Sequence, residues 1–511
     1  MALHDWTIAD LEAWDRRVRE VVQSFRLTPY PVDFRIYDYE QMLDMHAYHM
    51  PFRYSHWSFG KTYDVQRTLK HFELTSLAYE MVVNTNPAQA FCWRDNSLPL
   101  HVLVMAHVYG HSDFFANNVW FRTLTNAAGA LELFRAHADE IAAYSEDPSI
   151  PFDRIEALMD AAHALMFHRP RILGRRRETP QRQRARLVES RRAEPGEWDH
   201  LKPRDERVPP PLELDRVPLE PDEDLLRFLA EYAPLQDWER RVLEIVAKES
   251  DYFMPNVATK VMNEGWATFW HDRIFHALPE RPAEFDVEYA DKMSGVVVPG
   301  GLRMNPYHIG WHIWTDIYRR WEDPDPQERH DWGRRGGEGL EKLFEVRDTE
   351  DDASFIANYL TDELIARLKL FRYQWAREAD GQSVYRVLDV PDPEGYEKIR
   401  RAAVMQVGNN LFPMLRVIDA NYYHDRTLIL EHVHDGRDLK IFEPELPLRD
   451  VRAILREKGE LSGEVLVSET GEVLKHIQSI WKNPLVLQTR YDGTLLALRC
   501  DREKRITVEI G

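Results

Sequence analysis

The hydrophobic period of the chain changes once, near residue 380, and this change constrains the fold more than any other feature. Before it, apolar residues such as Leu11, Trp14 and Val18 recur at the spacing of amphipathic helices. After it, short apolar or alternating runs such as LVLQTRY and TLLALRC are typical of strands. The sequence therefore predicts a mainly α protein, with a large helical domain followed by a smaller α+β C-terminal domain.

Two local patterns give sharper expectations. Residues 62–83 have helical periodicity, which predicts a helix there. Asp-Gly pairs at 435–436 and 492–493 lie between strand-like runs, and such pairs favour tight turns. We therefore predict a β-hairpin at each of the two pairs.

A change in composition interrupts the helical region. Residues 169–221 are rich in Arg and then in Pro, and they contain little that could form a core. We interpret them as a solvated connector or insertion, with a docking arm for an acidic partner as the alternative. The predicted segments are 1–168 and 222–378 as two helical parts of the main domain, 169–221 as the connector, and 379–511 as the C-terminal domain.

Composition excludes several classes of protein. With 511 residues the chain exceeds what one hydrophobic core usually serves, so we expect at least two domains. The net charge of −20 argues against general nucleic-acid binding, which needs a basic surface. Two cysteines, Cys92 and Cys500, are too few for a disulfide framework. No signal-peptide core or membrane-length apolar run occurs, so we expect a cytoplasmic protein without a membrane span.

The stretch MAHVYGHSDFFANN, residues 105–118, contains the first chemical signal. His107 and His111 are four residues apart, which places both imidazoles on one face of a helix. Zinc peptidases present two ligands in this way, in the pattern His-Glu-x-x-His. Here Val108 occupies the position of the catalytic glutamate. The spacing is also compatible with two histidines in a core.

Two later stretches contain similar residues. In VMNEGWATFWH, residues 261–271, Glu264 and His271 are two helical turns apart and share a face. In NPYHIGWHIWTD, His308 and His312 repeat the four-residue spacing, but nothing nearby strengthens that pair. Two imidazoles and one carboxylate can hold zinc and leave a position for water. The sequence therefore favours His107, His111 and Glu264 as metal ligands.

The general base remains open at this level. Residues that could replace the missing glutamate are His271, His312, Asp113 and Tyr109. His271 and Asn117 are the candidates for orienting substrate or water. We therefore take His271, Asn117 and Asp113 as candidate catalytic residues.

Several long motifs resemble the stage V sporulation protein R family. They are HWSFGK (56–61), YEMVVNTNPAQAF (79–91), AHVYGHSDFFANN (106–118), KVMNEGWATFWH (260–271), NPYHIGW (305–311), LFEVRDTEDDASFIANYLTDEL (343–364) and LILEHVHDG (428–436). The resemblance implies a bacterial cytoplasmic protein linked to the spore cortex, a peptidoglycan layer, or to a stress response. It also implies an AAA-type serine kinase and a von Willebrand A-like protein as partners. EGWATFWH is similar to the helix that carries the third zinc ligand in some peptidases, so a metallopeptidase-like helix pair is expected.

Two hypotheses of different classes follow. The first is a zinc-dependent hydrolase-like protein that acts on peptidoglycan-related or peptide amide bonds. The second is a non-enzymatic regulator or scaffold that works with the serine kinase, and Val108 in the base position favours it.

Overall fold

Helices dominate the fold, as the sequence predicts. The computed structural model describes residues 6–71, 79–174, 178–190, 214, 216–299, 304–371, 373–377, 383–389, 391–442, 449 and 468–510. Its helices are α1 (Ile8–Ser24), α2 (Tyr39–Tyr48), α3 (Trp57–His71), α4 (Leu98–Asn117), α5 (Val119–Leu124), α6 (Ala130–Glu146), α7 (Phe152–Leu165), α8 (Pro180–Ser190), α9 (Leu225–Tyr232), α10 (Asp237–Ala258), α11 (Lys260–Ala277), α12 (Ala283–Val296), α13 (Pro306–Glu322), α14 (Pro326–Trp332), α15 (Gly339–Thr349), α16 (Asp352–Tyr359), α17 (Asp362–Leu368), α18 (Pro393–Val404) and α19 (Glu469–Trp481).

The described strands form three sheets. They are β1 (Val32–Tyr37), β2 (Glu80–Val83), β3 (Ala88–Trp93), β4 (Tyr373–Arg377), β5 (Ser383–Val387), β6 (Leu415–Asp419), β7 (Leu428–His432), β8 (Leu485–Tyr491), β9 (Thr494–Cys500) and β10 (Ile506–Ile510). In the first sheet β3 is central, parallel to β1 and antiparallel to β2. β4 and β5 form an antiparallel pair, and the third sheet has the order β10-β9-β8-β7-β6. The C-terminal region therefore contains the sheet that the sequence predicts.

The chain forms two compact units, and each unit combines two separate stretches. The first unit is Met1–Ala143 with Asp251–Leu411, and the second is Tyr144–Ser250 with Phe412–Gly511. The chain thus passes between units at positions other than the predicted segment boundaries. Much of the predicted connector, including residues 191–213, lies outside the described residues.

One of the two predicted hairpins is confirmed. Asp492 and Gly493 both have positive φ and join β8 to β9 in antiparallel register, as expected for an Asp-Gly turn. The hairpin predicted at 435–436 is wrong, because the next neighbour of β7 is β8 and the two strands are parallel. Parallel neighbours need a long crossover rather than a tight turn, and α19 lies on this one.

The helix predicted over 62–83 is only partly correct. α3 ends at His71, and residues 80–83 form the edge strand β2. Residues 72–78 lie outside the described part of the chain. β2 is held by pairing with β3, and such non-local pairing overrides the local helical pattern.

Local signals in the sequence set the starts of the central helices. α4 begins at a Ser97 cap, whose side chain accepts the Leu100 N–H, with proline in the first turn. α11 begins against a distant residue: the Asp352 carboxylate accepts the N–H groups of Val261 and Met262, at 2.8 Å each. A carboxylate at this end also interacts favourably with the helix dipole. These caps fix where the motif-bearing faces of α4 and α11 begin.

The helices α4, α11 and α13 approach each other through glycines. A Cβ on Gly110 of α4 would lie 2.7 Å from the Ala267 Cα of α11. A Cβ on Gly265 of α11 would lie 2.4 Å from the Gly310 carbonyl carbon of α13. Because backbone atoms line both contacts, only glycine permits these spacings.

α4 and α11 are buried on nearly all sides. α4 packs against α11, α1 and the first sheet, and α11 packs also against α13. No helix among the described residues combines the length and apolarity that crossing a bilayer requires.

We expect Gly265→Ala to destabilise the protein by about 1–3 kcal/mol or more, since the added methyl meets helix backbone that cannot move aside. Chemical denaturation with circular dichroism measures the change. Gly60→Ala in α3 is the control, because a Cβ there meets nothing within 4 Å and should leave the midpoint unchanged or slightly higher. Equal midpoints for the two variants would contradict the prediction.

Candidate metal centre

Three side chains from α4 and α11 converge on one point. His107 and His111 lie one turn apart on α4, and Glu264 faces them from α11. Glu264 Oε2 lies 3.6 Å from His107 Nε2 and 3.4 Å from His111 Nε2. Their potential ligand atoms all lie within 4.8 Å of one another, and each residue is only 6% exposed. In the part of the chain that the structure describes, no other set of three His, Cys, Asp or Glu side chains is this close.

These distances fit a metal ion better than direct hydrogen bonding. Two ligands bound to zinc at ~2.1 Å in tetrahedral geometry are about 3.4 Å apart. Glu264 Oε2 is buried, and among the residues that the structure describes no group forms a hydrogen bond of good geometry with it, although buried carboxylate oxygens normally have such a partner. The donor set of two imidazoles and one carboxylate is that of divalent zinc or a related metal. The group therefore has the spacing, the chemistry and the unpaired oxygen of a cation site.

Contacts behind the histidines orient their Nε2 lone pairs toward this point. His111 Nδ1 lies 2.9 Å from Asn263 Oδ1, an oxygen that can only accept, so Nδ1 donates. His107 Nδ1 lies 2.9 Å from His271 Nδ1, and His271 Nε2 lies 3.1 Å from the Met293 sulfur. Because sulfur is an acceptor, His271 donates from Nε2 and accepts from His107 at Nδ1. Both Nε2 atoms on α4 therefore face this point, and each can bind a cation in its unprotonated form.

Glu264 is held ionised by its surroundings. Burial alone would raise its pKa, but Lys260 and His111 outweigh burial and hold the pKa well below its usual range. Lys260 Nζ donates to Glu264 Oε1 at 2.5 Å. Glu264 therefore presents one neutralised oxygen and one free oxygen, Oε2, to the centre.

Two further residues at the centre were missed by sequence reasoning. Glu80 on β2 places Oε1 3.8 Å from His107 Nε2, and burial raises its pKa despite the nearby histidines. Tyr307 on α13 stacks on His107 with ring centroids 6.2 Å apart. The Glu264 charge, together with burial, raises the pKa of Tyr307, so its hydroxyl stays protonated. Both residues lie in the quoted motifs YEMVVNTNPAQAF and NPYHIGW, which was the available signal.

Asp113 and Asn117 are not brought to the centre. Asp113 is fully buried, and its carboxylate accepts from Arg347 NH1 at 2.7 Å, Thr28 N at 2.7 Å and Trp266 Nε1 at 3.0 Å. Asn117 donates to the Asp113 carbonyl and bonds to Thr28. These contacts join α4 to neighbouring elements, and none of them involves His107, His111 or Glu264.

The other side chains considered as a general base have contacts of their own. Both ring nitrogens of His271 have partners, as described above. Tyr109 donates to Asp15 and accepts from Arg19, and His312 contacts His308 and Trp311. Val108 is fully buried in the apolar core.

The fold and this group define a class: a mainly helical protein with a buried His-His-Glu centre on two packed helices. A family description, SpoVR like protein, matches residues 5–412, and the chain belongs to this family. The chain is 32% identical over 521 residues to the uncharacterized protein YcgB of Escherichia coli (strain K12). The aligned region covers 97% of this chain and 95% of YcgB. No solved structure matches the chain significantly.

We expect Asp113→Ala to lower the unfolding free energy by about 3–5 kcal/mol, because the buried Arg347 guanidinium loses its buried partner and keeps the more exposed Asp348. Urea denaturation measures the loss. The matched control is Glu341→Ala, which removes an exposed partner of Arg26 and should leave the midpoint essentially unchanged. If Asp113→Ala folds with the stability of the control, Asp113 is not a structural anchor.

Proposed function

We propose that His107, His111 and Glu264 hold a divalent metal, with zinc as the first choice, and that the protein is a metal-dependent hydrolase of amide bonds. The substrates we favour are peptides or the peptide parts of peptidoglycan. The observation that carries the proposal is that the two Nε2 atoms lie 3.6 and 3.4 Å from a buried carboxylate oxygen, Glu264 Oε2, with all three atoms within 4.8 Å of one another.

The roles of the chain's own residues follow from their contacts. Glu264 binds through Oε2, because Lys260 already takes Oε1. Three protein ligands leave one position open for water and substrate. A zinc ion at such a site polarises a carbonyl group and makes water more acidic. Asn263 and His271 hold the two ligand histidines from behind, and Tyr307 is a protonated hydroxyl beside the centre that can donate to a developing oxyanion.

The hydrolase class is supported by the arrangement of the ligands on helices. Zinc peptidases also take two histidines from one helix, four residues apart, and several take a glutamate from the next helix. α4 and α11 supply these ligands here, so we propose that they are a metallopeptidase-like pair. Val108 is the departure from that arrangement.

The same departure supports a second candidate function. A centre without the usual glutamate could hold its metal only to stabilise a regulator or scaffold that works with an AAA-type serine kinase and a von Willebrand A-like protein. In that case the metal has no exchangeable position, and small anions such as azide leave the spectrum of the cobalt-substituted protein unchanged. A spectral response to azide favours the hydrolase.

The first test is metal content. We expect purified protein, loaded with zinc and then desalted, to retain stoichiometric zinc by mass spectrometry of the element. His107→Ala, His111→Ala and Glu264→Gln should each lose most of it, since each removes a ligand. His312→Ala is the matched control, because it removes one histidine of the other four-residue pair, on α13, and should retain zinc. The proposed metal centre is rejected if the wild-type protein retains no zinc, or if His312→Ala loses zinc while the three ligand variants keep it.

The zinc-loaded protein should then cleave amide bonds in peptides or peptidoglycan stem peptides, detected by mass spectrometry of the products. His107→Ala is the inactive reference. Stoichiometric metal with no cleavage of either class favours the regulator.

We expect Asn263→Ala to weaken zinc binding by about 10–100-fold, because it removes the acceptor that orients His111. Competition with a chromogenic chelator measures the affinity. Asn117→Ala is the control, since this amide contacts Asp113 and Thr28 and should not alter zinc affinity. Equal losses for both amides would mean that general destabilisation, rather than the orientation of His111, sets the affinity.

A further inference from the structure

A carboxylate that is not one of the three proposed ligands, Glu80, also lies at the centre. Glu80 lies on β2, the edge strand of the first sheet, and not on either ligand helix. Its Oε1 is 3.8 Å from His107 Nε2, yet Glu80 does not join the three atoms that meet within 4.8 Å. Glu80 thus lies beside the ligand group without completing it.

The position of Glu80 matters because α4 has no carboxylate of its own at the centre. In the His-Glu-x-x-His arrangement the glutamate follows the first histidine, and here that residue is Val108. A Val108→Glu change would not restore it, since Val108 is surrounded by the apolar core. Besides Glu264 of α11, a second carboxylate beside His107 comes from the sheet that packs on α4.

A second carboxylate this close to Glu264 destabilises the folded protein when both are ionised, unless a nearby positive charge or hydrogen-bond donor compensates it. Like charges near one another in a buried site repel strongly. Lys260 offsets one carboxylate by direct contact with Glu264. Retaining Glu80 as well makes physical sense if a cation and a hydrogen-bond donor, such as water, occupy the space between Glu80 and the ligands.

We propose that Glu80 is the catalytic carboxylate of this centre, replacing the glutamate that Val108 displaces. In amide hydrolysis an O–H bond of water breaks, and its proton passes to Glu80 Oε1 while the oxygen bonds to the carbonyl carbon. The C–N bond then breaks, and Glu80 returns the proton to the leaving nitrogen. Water is the only co-reactant. The inference rests on the proposed function, because it needs a ligand group that binds a metal.

The test uses cobalt-substituted protein and acetohydroxamate. This small chelator has O–H and N–H groups that can donate hydrogen bonds to a neighbouring carboxylate. Binding is followed by the visible cobalt spectrum. We expect Glu80→Gln to retain stoichiometric cobalt and the wild-type spectrum, but to bind acetohydroxamate about tenfold more weakly, because a charged acceptor is lost. Glu80→Asp, which keeps the charge on a shorter side chain, should recover part of the affinity.

Glu284→Gln is the matched control, since Glu284 is an exposed carboxylate in the first turn of α12. It should behave as wild type. If Glu80→Gln loses cobalt, Glu80 is a fourth ligand and the inference fails while the metal centre stands. If Glu80→Gln binds both cobalt and acetohydroxamate as wild type does, the inference also fails. If the wild type binds no cobalt, the proposed function itself fails.

Discussion

The close approach of α4 to α11 is the constraint on which the centre depends. Packed helices usually lie 8–10 Å apart, and the Gly110 contact with the Ala267 backbone lets this pair come nearer than side chains would allow. Gly110 directly precedes His111, and Gly265 directly follows Glu264. The glycine that sets the α4–α11 spacing therefore lies beside His111, and the glycine that sets the α11–α13 spacing lies beside Glu264. A change of spacing there moves the imidazoles and the carboxylate apart directly, without an intervening loop to absorb it.

Charge is the second constraint, and it explains why the centre is built from so many elements. Glu264 is buried and Glu80 is largely buried. Lys260 forms its ion pair with Glu264. Buried carboxylates need partners, because desolvation of an isolated charge costs several kcal/mol or more. His271 stays neutral, since burial and the neighbouring imidazoles lower its pKa, and so it offers no compensating charge. A divalent cation between the histidines and Glu264 would offset the Glu264 charge and would favour ionisation of Glu80, whose pKa burial raises.

The sequence predicts part of this arrangement. The three central residues are found from the four-residue spacing of His107 and His111 and from ligand chemistry, because helix geometry fixes which side chains share a face. Glu80 is not found, since residues 62–83 have a helical pattern and the strand β2 exists only through pairing with β3. Asp113 is expected at the centre because it shares a helix with the histidines. It lies two residues, or about 200° around the axis, from His111, so it faces other neighbours.

The length of the α4 motif has a physical explanation in the burial of that helix on every side. An amphipathic helix needs only one stripe of specified residues, whereas α4 meets a different neighbour on each face. His111 faces the centre, Gly110 meets α11, Tyr109 bonds to Asp15 and Arg19 of α1, and Asp113 is paired with Arg347. Val108 fills the apolar core on a further face of the helix. The carboxylates that reach His107 enter from other elements: Glu264 comes from α11, and Glu80 comes from the edge strand β2.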